Sequence, residues 1–269
     1  MYFIWTLDKV IKEAHKIQSK GIDISISFLP VETKTKEDIL INTKTYIEIL
    51  ERIKSEGLRG DATLKLHQFG VYKYKDLMIE NVGKVVAHAE KLGIFIWVDM
   101  ERPDTVDATI ELFNNLIKKY KNVGICLQTC LKRTESDMQK LLVNKVPMRL
   151  VKGGFYVPYD ITEWSKVTEN FSKLMEYMLE HSDRPCIATH DIGLIEKAKQ
   201  IIKDKNIKNA EFQFFYGVKN DIAEKLSSEG YKAAIYIPYG NLFTYIWNGF
   251  RTFDMNRNIQ RVLRFKNIK

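Results

Sequence analysis

Hydrophobic and polar positions follow two different periods along this chain. Short runs with a two-residue beat alternate with longer stretches whose apolar residues recur every three or four positions. Strands and amphipathic helices are therefore expected to take turns. The clearest strand is Ile24–Leu29, where isoleucine and serine alternate before Pro30. Thr63–Leu66, Ile94–Val98, Val123–Leu127, Met148–Val151, Cys186–Thr189, Glu211–Phe215 and Ala233–Ile237 continue the series. Between them the helical period covers Lys36–Glu56, Lys75–Lys91, Thr105–Tyr120, Thr134–Asn144, Ile161–His181, Gly193–Lys205 and Asn220–Glu229. Gly57, Gly93 and Gly230 follow three of these closely, and a glycine there takes the left-handed conformation that stops a helix. Leu7–Lys20 adds a helix before the first strand, and a last helical stretch, continuous or broken, begins at Leu242.

Eight strands, each followed by a helix, predict an α/β fold of the (β/α)8 TIM-barrel type. An open doubly wound sheet would be expected to carry a glycine-rich fingerprint after its first strand, and none is present. The chain has 269 residues, a length at which such barrels commonly fold as one unit, and no linker or composition shift divides it. Residues 1–269 are thus expected to form a single domain.

Composition narrows the class further. Hydrophobic residues make up 45% and charged residues 28%, which fits a globular protein. Three cysteines argue against a disulfide scaffold and for a reducing, cytoplasmic setting, with Cys126 and Cys130 read as packed thiols. The N-terminus lacks the basic region and cleavage site of a signal peptide. Ala233–Phe250 is free of charge, yet Pro238, Gly240, Asn241, Asn248 and Gly249 break it, so a strand, a turn and a helix start are expected rather than a membrane span. The net charge of +8 permits several anionic partners and singles out none, and no nucleic-acid recognition motif is present.

In a barrel of this kind the chemistry gathers at the carboxyl ends of the strands. Those ends hold Glu32, Lys65, His67, Asp99, Glu101, Gln128, Arg149, Lys152, Thr189, His190, Asp191, Gln213, Tyr216, Tyr236 and Tyr239. Two cations stand out in Met148–Tyr156, MRLVKGGFY, because a buried charge needs an anionic or strongly polar partner. The pair Gly153-Gly154 would let a flat ligand come close; a surface strand with two solvated cations is the other reading. Lys65 and Asp99 lie on neighbouring strands and could pair, either to hold a polar substrate or simply to neutralise each other. The aspartate would keep the lysine protonated, which weakens a Schiff-base role. His15, His88 and His181 fall on helices, leaving too few histidines near the mouth for a zinc site.

Seven short motifs occur in order on these strands: LKLHQFG (64–70), FIWVDME (95–101), GICLQTCLKRT (124–134), RLVKGGF (149–155), ATHD (188–191), EFQFFYGV (211–218) and IYIPYG (235–240). Together they resemble the proline dehydrogenase family, flavin-dependent barrels that oxidise proline to pyrroline-5-carboxylate. The likeness runs from about Thr63 to Tyr245. It implies a bound flavin, FAD or else FMN, with Arg149 as the cation near flavin N5. Val151, Lys152, Gly153 and Gly154 would line the cofactor site, Gln128 would reach the ring system, and Thr189, His190 and Gln213 would add contacts. Lys65 and Asp99 match the ion pair over the substrate, and Tyr236 and Tyr245 match aromatic residues that enclose it. A quinone or another electron acceptor would reoxidise the flavin.

Two positions depart from the family pattern. The last helix usually carries Tyr-x-x-Arg-Arg, whose arginines grip the proline carboxylate, whereas Asn248 and Gly249 stand there in this chain. Losing a bidentate, charge-assisted grip is expected to weaken carboxylate binding by roughly several kcal/mol. Arg251 would be turned about 200° from Gly249 on a regular helix, so it does not restore the grip there. The aromatic residue of the RLVKGGF motif, usually Tyr, is Phe155. Three readings therefore stay open: a proline dehydrogenase, a flavoenzyme for an amine without an α-carboxylate, and a flavin-binding or interaction barrel without turnover. The tail Arg257–Lys269 reads as a basic amphipathic helix that either caps the barrel or meets the inner face of a membrane.

Overall fold

The computed structural model describes residues 4–30, 33–153 and 160–241. A short strand β1 (Ile4–Trp5) and a helix α1 (Leu7–Gln18) precede the first barrel strand β2 (Asp23–Leu29). Helices and strands then alternate: α2 (Lys36–Ser55), β3 (Gly60–Lys65), α3 (Lys75–Leu92), β4 (Phe95–Asp99), α4 (Val106–Ile117), β5 (Val123–Gln128), α5 (Thr134–Leu142) and β6 (Met148–Val151). The second half adds α6 (Trp164–His181), β7 (Pro185–Ala188), α7 (Ile192–Asp204), β8 (Glu211–Phe215), α8 (Asn220–Ser228) and β9 (Lys232–Asn241).

Each strand from β2 to β9 pairs in parallel with the next, and β9 returns to β2, so the sheet closes into the expected barrel. The sequence pattern did not foresee β1, whose two residues pair antiparallel with Asn241 and Gly240. Two residues are too few to show a period. That pairing lies at the end of β9, which runs to Asn241 rather than stopping at Ile237. β3 likewise starts at Gly60, ahead of the expected Thr63, because Gly60, Asp61 and Ala62 pair with β2, and Gly60 lies so close to that strand that a Cβ there would stand 2.1 Å from the Ile24 carbonyl oxygen. Leu66 leaves the strand and opens a 3-10 turn, Leu66–Phe69.

Local signals hold the helices in place. Thr35 caps α2: its hydroxyl accepts from the Asp38 amide at 3.1 Å while the Asp38 carboxylate accepts from the Thr35 amide at 2.8 Å. Gly93 ends α3 in the left-handed conformation, as its place in the sequence implied. Among the described residues no helix is long and apolar enough to cross a membrane.

Strand parity divides the barrel into two layers. Ile24, Ile26, Leu64, Ile96, Val98, Ile125, Leu127, Leu150, Ile187, Phe212, Phe214 and Ile235 are buried in the hydrophobic core under the helices. Each such apolar side chain contributes about 1.5–3 kcal/mol by leaving water. The alternate positions carry Ser25, Ser27, Asp61, Thr63, Lys65, Trp97, Asp99, Cys126, Arg149, Cys186, Glu211, Gln213 and Tyr236. Barrel interiors are usually filled by branched apolar side chains. Here the interior is a polar network built around one large ring, Trp97. Gly124 leaves room for that ring, since a Cβ would stand 2.5 Å from it.

Candidate active site

The register places Lys65 beside Asp99 at the carboxyl ends of β3 and β4. Lys65 Nζ lies 2.5 Å from Asp99 Oδ2, and Arg149 Nη2 pairs with the other carboxylate oxygen. One carboxylate therefore serves two cations. Lys65 Nζ also donates to Tyr236 Oη at 2.9 Å, and the phenol lies 2.6 Å from Ser27 Oγ. Arg149 also donates to Gln213 Oε1 at 3.0 Å and to Thr63 Oγ1 at 3.3–3.4 Å. Both aromatic neighbours, Trp97 and Tyr236, lie within cation-π reach of its guanidinium, at 5.1 and 5.8 Å.

Burial and charge work against each other in this group, and charge prevails for the ions. Burial pushes the Asp99 carboxyl up, but Arg149 and Lys65 outweigh it and hold it below the ordinary aspartate value. Burial would discharge Lys65, yet Asp99 keeps it charged well above its usual range. Burial also pulls on Arg149, and Asp99 more than restores it. Tyr236 is raised by burial, so its hydroxyl keeps its proton. Burial pushes the Cys126 thiol up to about 12, and Cys186 is raised as well; both flank Arg149 in register as packed, unreactive thiols.

The end of β6 forms a second part of the site. Val151 and Lys152 offer carbonyls to the amides of Thr129 and Cys130, at 2.9 and 3.0 Å, which zips this segment to the one after β5. Gly153 sits at φ +82°, and a Cβ there would stand 2.5 Å from Gln128 Oε1 and 2.6 Å from Cys130 Sγ. Gln128 donates to the carbonyls of Met100 and Glu101, both at 2.7 Å. Lys152 does not stay a loose cation: it pairs with Asp191 at 2.9 Å, donates to Thr168 at 2.8 Å and lies 4.5 Å over the Trp164 ring.

The remaining expected residues divide. Thr189 Oγ1 accepts from the Asp191 amide at 3.2 Å, and His190 Nε2 accepts from the Phe215 amide at 3.0 Å. His67 pairs with Glu101 one step outward from Lys65 and Asp99. Tyr216 turns away from this group, its hydroxyl donating to Glu13 of α1 at 3.0 Å. Glu32, Gly154, Phe155, Tyr245, Asn248, Gly249 and the tail 257–269 lie outside the described residues. Among the described residues no three metal-binding side chains gather.

A second cluster, at the opposite end of the barrel, was not among the expected residues. Asp61 accepts from Trp97 Nε1 at 2.9 Å and from Arg184 Nη2 at 3.3 Å, and Arg184 also meets Glu211 at 3.0 Å. Burial, and after it the charge of Glu211, pushes the Asp61 carboxyl up to about 7, against the pull of Arg184. The signal was available in the sequence: Asp61 lies four residues before Lys65, and Glu211 two before Gln213, so both share the parity of inward positions.

Known proteins are similar to this chain in sequence and in fold. A family model described as proline dehydrogenase matches residues 10–251. Proline dehydrogenase 2 of Bacillus subtilis is 32% identical over 229 residues, 84% of this chain and 76% of its own length. Proline dehydrogenase of Deinococcus radiodurans is 32% identical over 203 residues, 72% of this chain and 66% of its own. Among solved structures, proline utilization A (PutA) from Bdellovibrio bacteriovorus, inactivated by N-propargylglycine, superposes with a TM-score of 0.83 over 91% of this chain. The chain spans 31% of that longer protein at 20% identity, so the likeness speaks for the fold alone. With that fold and the matched sequence in agreement, this chain belongs to the proline dehydrogenase family.

Proposed function

We propose that this protein is a flavin-dependent oxidoreductase that oxidises proline to 1-pyrroline-5-carboxylate, with its chemistry at the mouth formed by Lys65, Asp99, Arg149 and Tyr236. The observation that carries the reading is the charge balance there: two buried cations share one carboxylate. A surplus positive charge in a water-poor site favours a ligand that becomes anionic as it is reduced. Gly153, packed too closely on Gln128 and Cys130 to carry a side chain, and the carbonyl-anchored Gln128 form a fixed wall at the ends of β5 and β6 that suits a planar ring. The family's flavin supplies the hydride-accepting atom, and the rest falls to side chains of this chain.

Arg149, held by Asp99, Thr63 and Gln213, would present a fixed cation at N5 without reorganising during the reaction. Lys65, Asp99 and Tyr236 would orient the ring nitrogen and the carbon beside it. Asp99 stays ionised, Lys65 charged and Tyr236 protonated near neutrality, so none of the three takes up the amine proton. They bind and orient. Val151, Lys152, Gly153 and Gly154, with Gln128, Thr189, His190 and Gln213, are the proposed cofactor surround, and Tyr245 is the proposed second aromatic residue of the substrate site.

The test is direct. Purified protein should be yellow, and saturating proline under anaerobic conditions should bleach the flavin band. A flavin-loaded protein that proline leaves yellow removes this substrate. A second reading is favoured by Asn248 and Gly249 in place of the paired arginines: a secondary amine lacking an α-carboxylate. It predicts bleaching by such an amine at lower concentration than by proline. We place the chain in one barrel domain that uses a quinone or similar acceptor, with the basic tail 257–269 either capping the barrel or meeting a membrane surface. Release of the protein from anionic vesicles on deleting 257–269 would bear out that last part.

A further inference from the structure

The two clusters inside the barrel are joined by one side chain. Gln213 points its amide nitrogen at Glu211 Oε1, 2.6 Å away, and its carbonyl oxygen accepts from Arg149 Nη1 at 3.0 Å. A glutamine amide can be turned either way round, and only one orientation suits Arg149, which is a donor and nothing else. A carboxylate only accepts, so Glu211 dictates that orientation: the amide NH2 must face Glu211 and the carbonyl must face Arg149. Arg184 holds Glu211 from the other side, at 3.0 Å from its second oxygen. All three of Glu211, Gln213 and Arg149 are buried, which leaves water little access to replace a lost partner.

We propose that Glu211 is a positioning residue for this enzyme: it locks the Gln213 amide and thereby fixes Arg149 where it faces the cofactor. The inference rests on the proposed place of Arg149 at the flavin and adds a residue that does not touch cofactor or substrate. Arg149 has other partners to turn to, Asp99, Thr63 and the ring faces of Trp97 and Tyr236, so without the Gln213 carbonyl its guanidinium can swing about the Asp99 bond.

The sign of one measurement separates this role from the alternatives. Glu211 carries negative charge on the interior side of the site. Acting only through space, it would disfavour electrons on the flavin, and its removal would raise the midpoint potential. Acting through Gln213, its removal misplaces Arg149 and lowers the potential. We expect Glu211→Leu, loaded with flavin, to show a lowered midpoint potential by reductive titration against a redox dye. Anaerobic flavin reduction by substrate should slow about tenfold, the scale of one hydrogen bond to a charged group. Glu211→Gln, which loses the charge but keeps an acceptor oxygen, should restore most of both, and it is isosteric should the leucine variant fold poorly. In an Arg149→Met background the same Glu211 substitutions should leave the potential where Arg149→Met alone puts it.

A raised or unchanged potential in folded Glu211→Leu overturns the positioning role, as does a Glu211 effect that persists undiminished without Arg149. If Arg149→Met itself leaves the potential unmoved, the placement of Arg149 at the flavin has failed, and this proposal falls with it. Because the potential is read without substrate, none of these outcomes depends on which amine the enzyme oxidises.

Discussion

The two ends of the barrel interior are built from the same kinds of residue in opposite proportions. At the mouth, Lys65 and Arg149 share Asp99; at the floor, Asp61 and Glu211 share Arg184. Two cations around one carboxylate leave every group charged and a positive field to spare. Two carboxylates around one cation leave one of them better off neutral, and Asp61 is the one pushed up to about 7. Trp97 lies in cation-π reach of both arginines, at 5.1 Å from Arg149 and 5.4 Å from Arg184. The difference teaches what each end is for: a surplus cation suits electron acceptance, whereas a paired, half-protonated floor suits the inside of a closed barrel.

The strongest way to break that comparison is to remove the shared or surplus arginine at each end. Arg149→Met should slow anaerobic flavin reduction by roughly a hundredfold or more, the scale of losing one preorganised charge-stabilising group. It should still fold, because Asp99 keeps Lys65 as a partner at 2.5 Å. Arg184→Met should do the reverse. It strips two carboxylates of their cation and should reduce stability by about a few kcal/mol in denaturant titration, with a far smaller effect on reduction. Equal damage to reduction from both variants would mean that the two ends are not functionally distinct.

How much of this was legible in the sequence follows from the same two ends. Lys65 and Asp99 end their strands, and Arg149 and Tyr236 stand near the carboxyl ends of the strands that the pattern predicts, where a barrel gathers its chemistry. Lys65, Asp99, Arg149 and Tyr236 were found that way and do meet. The floor residues sit at strand starts, where a charge reads as an edge exposed to solvent. Parity marks Asp61 and Glu211 as inward, but only the register brings the two strands' starts and Arg184 together. Periodicity gave the strands; it could not show that Tyr216, beside the mouth in sequence, turns out to Glu13. Nor could residue type alone show that Lys152 would be taken up by Asp191.

A finer test of the floor uses pH. The Asp61 carboxyl titrates near its ordinary value when unfolded and at about 7 when folded. Between those values the folded protein holds a proton that the unfolded chain has released. Stability from this group is therefore full in acid and falls as pH rises to about 7, by on the order of a few kcal/mol, then levels off. Asp99 works oppositely: its lowered value adds stability above the ordinary aspartate range and gives it up in acid. Asp61→Asn should flatten the decline toward neutral pH in urea titrations and leave the acid limb from Asp99 in place. An unchanged slope in Asp61→Asn would show that Asp61 is not the group that titrates there.

The smallest expected effect sharpens the mouth alone. Gly153→Ala asks for a Cβ 2.5 Å from Gln128 Oε1 and 2.6 Å from Cys130 Sγ, at a φ of +82° that alanine disfavours. The strain should reduce stability by about 1–2 kcal/mol. Gln128 can yield only by loosening its bonds to the Met100 and Glu101 carbonyls, which tie β5 to the end of β4. Flavin affinity should therefore fall along with stability, while Asp61, at the far end, keeps its titration. Flavin retention measured beside thermal unfolding separates the two contributions: a stability loss with undiminished flavin affinity would take Gln128 and Gly153 out of the cofactor surround and leave Gly153 as a turn residue only.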